Sequence, residues 1–197
     1  MVKGRPRSFD RDAALGQALL VFWRHGYDAS SVSLLTRAMG ISAPSMYAAF
    51  GDKRALFEEA LLHYMRTHGA FMGRALQEPD AVKALEHMLF DAAATFTNHE
   101  HAPGCLVITA ATNCAPESVD VQKRLQALRQ SSLRAFEAKI SACQASGQLR
   151  SHIEARELAL FFMATLQGMS SQARDGASRE DLEAIARSAL RVLSQGA

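Results

Sequence analysis

Residues 30–50 read SSVSLLTRAMGISAPSMYAAF. Two short apolar-periodic segments meet at Gly40, the first running from Ser33 to Met39 and the second from Ser42 to about Phe50. Val32, Leu35, Ala38, Ile41, Met46 and Phe50 supply the inward sides. Glycine lacks a Cβ and enters the left-handed conformation that a tight helix-to-helix turn demands. Ser42 carries the hydroxyl of an N-cap, and Pro44 falls in the first helical turn, where its missing N–H costs nothing. Such a helix-turn-helix offers the N-terminal edge of its second helix to DNA.

Upstream, Asp10 caps a helix with Ala14, Leu15, Ala18, Leu19 and Phe22 on its apolar face and Gly26 as its stop. Ahead of it stand Lys3, Arg5 and Arg7, before any acid. Residues 1–54 hold eight Lys/Arg and four Asp/Glu, a balance of +4; residues 55–197 hold fourteen and sixteen, a balance of −2. A basic end on a faintly acidic body suits contact with a polyanion, although a solvated tail has the same composition.

Residues 9–56 resemble the DNA-binding domain of the TetR family. The resemblance rests on Phe22, Gly26-Tyr27, Ser31-Val32, Gly40-Ile41-Ser42, Ser45-Met46-Tyr47, Phe50, and Lys53 followed by Leu56. It implies that Arg5 and Arg7 approach the neighbouring minor groove, that Ser33 begins the supporting helix, and that Ala43, Pro44 and Ser45 begin the recognition helix. Tyr47 and Lys53 match phosphate-contacting positions; a phenol hydroxyl and an ammonium both suit that role. Substituting either is expected to lower DNA affinity without lowering stability. Ala43, Ala48 and Ala49 cannot make the paired hydrogen bonds that read guanine or adenine, which leaves base readout to Ser45, Ser33, the backbone or the arginine arm.

The rest of the chain is also helical in pattern, and the expected fold is all-α in two domains: residues 1–52 for DNA, residues 53–197 for ligand binding and dimerisation. A long helix follows Asp52 and carries Leu56, Phe57, Ala60, Leu61, Tyr64 and Met65, with a break at Gln77–Asp80. Further helices are expected over about Ala81–Asn98, Cys105–Asn113, Pro116 to near Gly147, Glu154–Arg174 and Leu182–Leu193, with Ser178 and Asp181 forming a capping box. Met65, Phe71, Met72, Phe90, Phe96, Ile108, Thr109, Thr112 and Phe136 form an apolar set with a few hydroxyls, suited to a small-molecule pocket as well as to plain core. Phe90, Cys105, Thr109, Thr112 and Phe136 are the expected ligand contacts. Cys105, at an expected helix start after Pro103-Gly104, resembles the Gly-Cys-Leu of TetR-like regulators that sense electrophiles through a cysteine. Free N–H groups there favour a thiolate, whereas burial disfavours it. The dimer face is expected on the last two helices, at Leu158, Phe161, Leu166, Leu182, Ile185 and Leu193, which pair with their counterparts in a four-helix bundle.

Other functions find little support. Three cysteines at irregular spacing form neither a disulfide framework nor a zinc motif. His99 and His101 flank Glu100 in an expected solvated loop, and no metal or cofactor is expected. There is no nucleophile–base–orienter set, paired carboxylate motif or phosphate loop, so an enzyme is not expected. No apolar run approaches the ~20 residues of a membrane span, and the N-terminus is not a secretory signal; a cytoplasmic protein is expected. The expected partners are a double-stranded operator, a small-molecule effector and a second copy of the chain. The expected function is a ligand-responsive TetR-like regulator, a repressor binding palindromic DNA; an activator or an architectural DNA binder without effector is the alternative.

Overall fold

The computed structural model describes residues 9–149 and 152–193. Its regular structure is entirely helical over those residues. Ten α-helices follow one another: α1 Arg11–Ala29, α2 Val32–Met39, α3 Ala43–Phe50, α4 Lys53–Arg66, α5 Ala70–Gln77, α6 Ala81–Phe96, α7 Leu106–Thr109, α8 Val119–Ala145, α9 Ala155–Arg174 and α10 Arg179–Leu190. The Asp10 carboxylate caps α1 by accepting from the Asp12 and Ala13 N–H groups. Ser31, Ser42, Asp52 and Asp80 do the same for α2, α3, α4 and α6, and Ser178 with Asp181 closes a capping box on α10. All six of these caps are Ser or Asp directly ahead of the helix, and at Asp10, Ser42 and Ser178 this made the start legible.

Two expected helices are shorter than their patterns. The one after Asp52 stops at Arg66 instead of continuing to Gln77. Gly69 donates its N–H back to the Tyr64 carbonyl at 2.8 Å and lies so close to the Tyr64 ring that a Cβ would meet Cε1 at 3.0 Å. Cys105–Asn113 shrinks to the single turn of α7, with Cys105 as its N-cap residue. Cys105 and Cys114 therefore share no helix, and all three cysteines are free thiols.

One continuous core joins both halves of the chain. Trp23 and Phe22 of α1, Phe57 and Tyr64 of α4 and Leu106 of α7 are fully buried in it. The backbone fastens the same junction. At Gly26, α1 kinks with φ 77°, and the next N–H, that of Tyr27, reaches the Ala110 carbonyl at 2.7 Å. Any side chain at Gly26 would put its Cβ 3.0 Å from that same oxygen. The glycine expected merely to stop a helix thus lets α1 touch the segment after α7. Nearby, the Asp28 carboxylate accepts from the Ala115 N–H at 2.7 Å and from the Ser118 hydroxyl, and these bonds, the Ser118 one foremost, hold its pKa below the usual carboxylate value. Arg54 pairs with Asp120, and Glu58 with Arg124 at 3.3 Å.

Candidate DNA interface and effector cavity

The turn between α2 and α3 is built around Gly40, whose φ of 67° and ψ of 27° are left-handed. Leu35, Met39, Met46 and Phe50 are buried beneath it, which fixes the angle between the two helices. The opposite side of α3 shows Pro44, Tyr47 and Ala48 to solvent, at the i, i+3, i+4 spacing of one helical face. Tyr47 is 49% exposed. Ser33 is exposed on α2, and Ala43 and Ser45 are half-buried at the start of α3. The Ser45 hydroxyl shares a 2.9 Å hydrogen bond with that of Ser42, so part of its capacity serves the cap. Arg11 braces this unit: it reaches the Glu59 carboxylate at 2.7 Å, the Ala49 carbonyl at 3.3 Å and the face of the Phe50 ring at 4.4 Å.

Lys53 is more engaged than its sequence suggested. Its ammonium lies 4.3 Å from the centre of the Tyr27 ring and 3.4 Å from the Asp28 carbonyl oxygen. Burial pulls its pKa down, and Asp28 opposes that. The expectation that Lys53 serves DNA without serving the fold is therefore corrected, because it holds the start of α4 against the end of α1. Arg5 and Arg7 lie outside the described residues.

Above this unit, α4, α5, α7, α8 and α9 enclose a cavity of about 470 Å³, within the roughly 300–1,000 Å³ usual for small-molecule sites. Tyr64, Met65, Phe71, Met72, Ile108, Leu128 and Met163 give it an apolar wall, and Cys105, Arg129, Ser132 and Gln167 give it polar points. A second, more polar hollow of about 490 Å³ adjoins it and shares Ile108, Arg129 and Gln167. Of the expected ligand contacts, Cys105 lines the cavity, while Thr109 and Thr112 line the second hollow. Phe90 and Phe136 line neither. Phe136 is fully buried in the core, one turn of α8 beyond Ser132, and Phe90 belongs to α6, which does not border the cavity.

Cys105 takes its place through the turn before it. Gly104 has φ 79°, and its Cβ would stand 2.7 Å from the Ser170 carbonyl oxygen. The next N–H, of Cys105, donates to the Ser170 hydroxyl at 2.9 Å. The Tyr64 hydroxyl donates to Cys105 Sγ at 3.3 Å. Burial pushes the thiol's pKa up; the Tyr64 hydrogen bond and the N–H groups of Ile108 and Val107 pull it back only in part. Of the two opposed effects, burial wins, and the resting sulfur is a thiol. From Tyr64 a ring contact of 4.8 Å leads to Trp23, whose indole N–H donates to the Gly104 carbonyl at 3.2 Å. His101 stacks on Trp23 at 4.1 Å and is buried, contrary to its expected place in a solvated loop; His99 and Glu100 are exposed there. Among the described residues no three His, Cys, Asp or Glu side chains gather as a metal site would require.

The model of the family described as "Bacterial regulatory proteins, tetR family" matches residues 14–60, and that of "Tetracyclin repressor-like, C-terminal domain" matches residues 81–189. The chain is 36% identical over 192 residues to the HTH-type transcriptional repressor ComR of Escherichia coli, covering 96% of this chain and 91% of that one. The chain belongs to the TetR family. It is 30% identical to the repressor BdcR of the same organism, over 94% of this chain and 89% of the relative. A cysteine mutant of the TetR family regulator CifR, solved with 26-base-pair operator DNA, superposes with a TM-score of 0.91 at 43% identity, covering 96% of this chain and all of that one. This TetR-family chain is thus a transcriptional regulator with its DNA-binding helix-turn-helix at the N-terminus.

Its last two long helices place the expected dimer residues unequally. Leu158 and Leu182 are buried inside the protomer, and Leu166 lines the cavity, so these three are spoken for. Ile185 and Leu193 are half-buried. Phe161 is 40% exposed, and Leu160, missed in the sequence, is 47% exposed. With the exposed Ala164 and Gly168 they make a stripe along the outer side of α9. The signal was present: Leu158 to Leu166 is apolar almost all round, the mark of a helix buried on two sides.

Proposed function

We propose that this TetR-family regulator is a cytoplasmic, non-enzymatic, homodimeric repressor. It grips a palindromic operator with residues 1–52 and releases it when a small molecule occupies the cavity of residues 53–197. The observation that carries the reading is the continuity from cavity to DNA-binding unit. Cys105 and Tyr64 form the cavity wall, Tyr64 touches Trp23 of α1, and Trp23 holds the Gly104 carbonyl beside Cys105. A ligand that prefers one setting of this wall biases the spacing of the two recognition helices, and operator affinity falls by that preference. Arg5 and Arg7 enter the minor groove, Ser33, Ala43, Pro44 and Ser45 meet the major groove, and Tyr47 and Lys53 contact phosphate. Phe161, Ile185 and Leu193, joined by Leu160, face the partner subunit.

Tyr47→Phe is expected to lower affinity on every duplex alike, as a lost phosphate contact does, with unfolding unchanged because the ring is exposed. Lys53→Ala is expected to flatten the plot of log affinity against log salt by about 0.9. It also costs about 0.5–1 kcal/mol of stability, since its cation–π contact goes too. Anisotropy titrations at several salt concentrations read both; parental binding by Tyr47→Phe rules out the phosphate role.

Cys105 is the effector contact open to covalent test. An electrophile small enough for the cavity adds at its sulfur and releases DNA. Because the resting group is a thiol with a raised pKa, its alkylation is expected to go on accelerating with pH beyond the point where a cysteine in a short unstructured peptide levels off. Mass-spectrometric mapping of iodoacetamide labelling across pH measures this. A Cys105 profile that plateaus at or below that of the peptide cysteine contradicts the burial described, and full operator binding by protein labelled at Cys105 alone removes the sensing role.

A further inference from the structure

Arg129 is a cation in the cavity wall that no carboxylate answers. It projects from α8 where the apolar cavity meets the polar hollow. Of its five N–H donors, the structure uses one, from Nη1 to the Val107 carbonyl at 2.7 Å. Among the described residues no acidic side chain stands within ion-pair distance of it, whereas Arg54, Arg74, Arg124 and Arg156 each have one. The hollow beyond holds Arg174 and Asp175, one charge of each sign, so Arg129 leaves this mouth with a net charge of +1. Half-burial disfavours its charge, and the neighbouring Cys105, a thiol at rest, supplies no negative charge to offset this. A guanidinium stays protonated even so. A partly desolvated cation without a counter-charge is unfavourable, and a ligand can supply the missing charge.

We infer that the effector is an amphipathic organic monoanion, with an apolar body in the cavity and a carboxylate head on the free edge of Arg129. The inference rests on the reading of the cavity as the effector site. The guanidinium fork matches a carboxylate in paired hydrogen bonds, and one net positive charge suits one negative charge. Gln167 and Ser132 flank the head with neutral polar groups. Arg74, the other cation that lines the cavity, is already paired with Asp91 at 3.1 Å, so one cation remains for one head group.

Calorimetric titration of the full-length protein with decanoate, decanol and decylammonium tests this. Decanoate is expected to bind roughly 10- to 100-fold more tightly than decanol, the size of a charge-assisted hydrogen-bonded contact at a partly buried site, and decylammonium most weakly. Arg129→Gln lowers decanoate to the level of decanol and leaves decanol unchanged; Arg129→Lys keeps part of the difference. Equal affinity of the wild type for decanoate and decanol, or no decanoate binding, overturns the proposal, and that comparison stands even where a variant fails to fold. So does dissociation of the dimer in Arg129→Gln, which would show the cation to be answered by a partner's carboxylate. Operator binding measured in parallel separates the two readings. Decanoate that binds through Arg129 and leaves the operator bound refutes the effector role of the cavity and leaves the anion site standing.

Discussion

A Phe161→Glu protein is expected to sediment as a folded monomer and to lose more than about 100-fold in operator affinity. Phe161 and Leu160 are the large apolar side chains exposed on α9, and the exposed Ala164 and Gly168 beside them let another helix approach closely. A carboxylate placed in that seam must be desolvated without a partner, which costs more than a helix pair of this size can supply. In the lone protomer the same carboxylate points to water, so the fold is spared. Two linked half-site contacts exceed one by roughly 10²–10⁴ in effective affinity, and this factor disappears with the dimer. Sedimentation velocity with circular dichroism decides it. A folded dimer carrying Phe161→Glu would move the interface elsewhere on the surface.

The largest loss of stability is expected from Gly104→Ala, about 3 kcal/mol. Alanine at φ 79° carries the left-handed penalty of about 1–2 kcal/mol. Its Cβ would also stand 2.7 Å from a backbone oxygen of α9 that cannot step aside alone. The shift that relieves the clash pulls the Gly104 carbonyl from the Trp23 indole and the Cys105 N–H from Ser170. The variant is therefore expected to lose coupling as well: repression that survives at low temperature responds weakly to any cavity ligand. Urea unfolding measures the first effect, and a melt within about 0.5 kcal/mol of the parent would contradict the packing described. Gly176 is a fitting control, since it too has positive φ but no atom within 4 Å of its Cβ.

Elements with strong local chemistry were readable before any coordinates. Asp10, Ser42, Asp52 and Ser178 marked helix starts, Gly40 marked the turn, and Met46 and Phe50 marked the buried side of the recognition helix, because capping and periodicity act within a few residues. Long-range partners were not readable. Nothing near Gly26 announces that it is shaped by the Ala110 carbonyl, and nothing near Lys53 announces the ring of Tyr27 beneath its ammonium. His101 looked like a solvated loop residue because its neighbours are polar; its ring is buried by Trp23, far away in sequence. The cavity shows the same limit. Its apolar character was evident from Met65, Phe71, Met72 and Ile108, which do line it, but distance along α8 removes Phe136, and the position of α6 removes Phe90. Arg129 drew no attention in the sequence because an arginine on a long polar helix is ordinarily a solvated one; only the fold shows which arginines lack acids.

Selection of bound duplexes from a random-sequence library tests the central claim most directly. A dimeric helix-turn-helix repressor is expected to enrich a palindrome whose half-sites sit about one helical turn, roughly 34 Å, apart or a multiple of it. Two protomers should occupy each duplex, and cavity ligand should release them. Enrichment of a motif without two-fold symmetry, bound by one protomer and indifferent to any ligand of the cavity, would contradict the account.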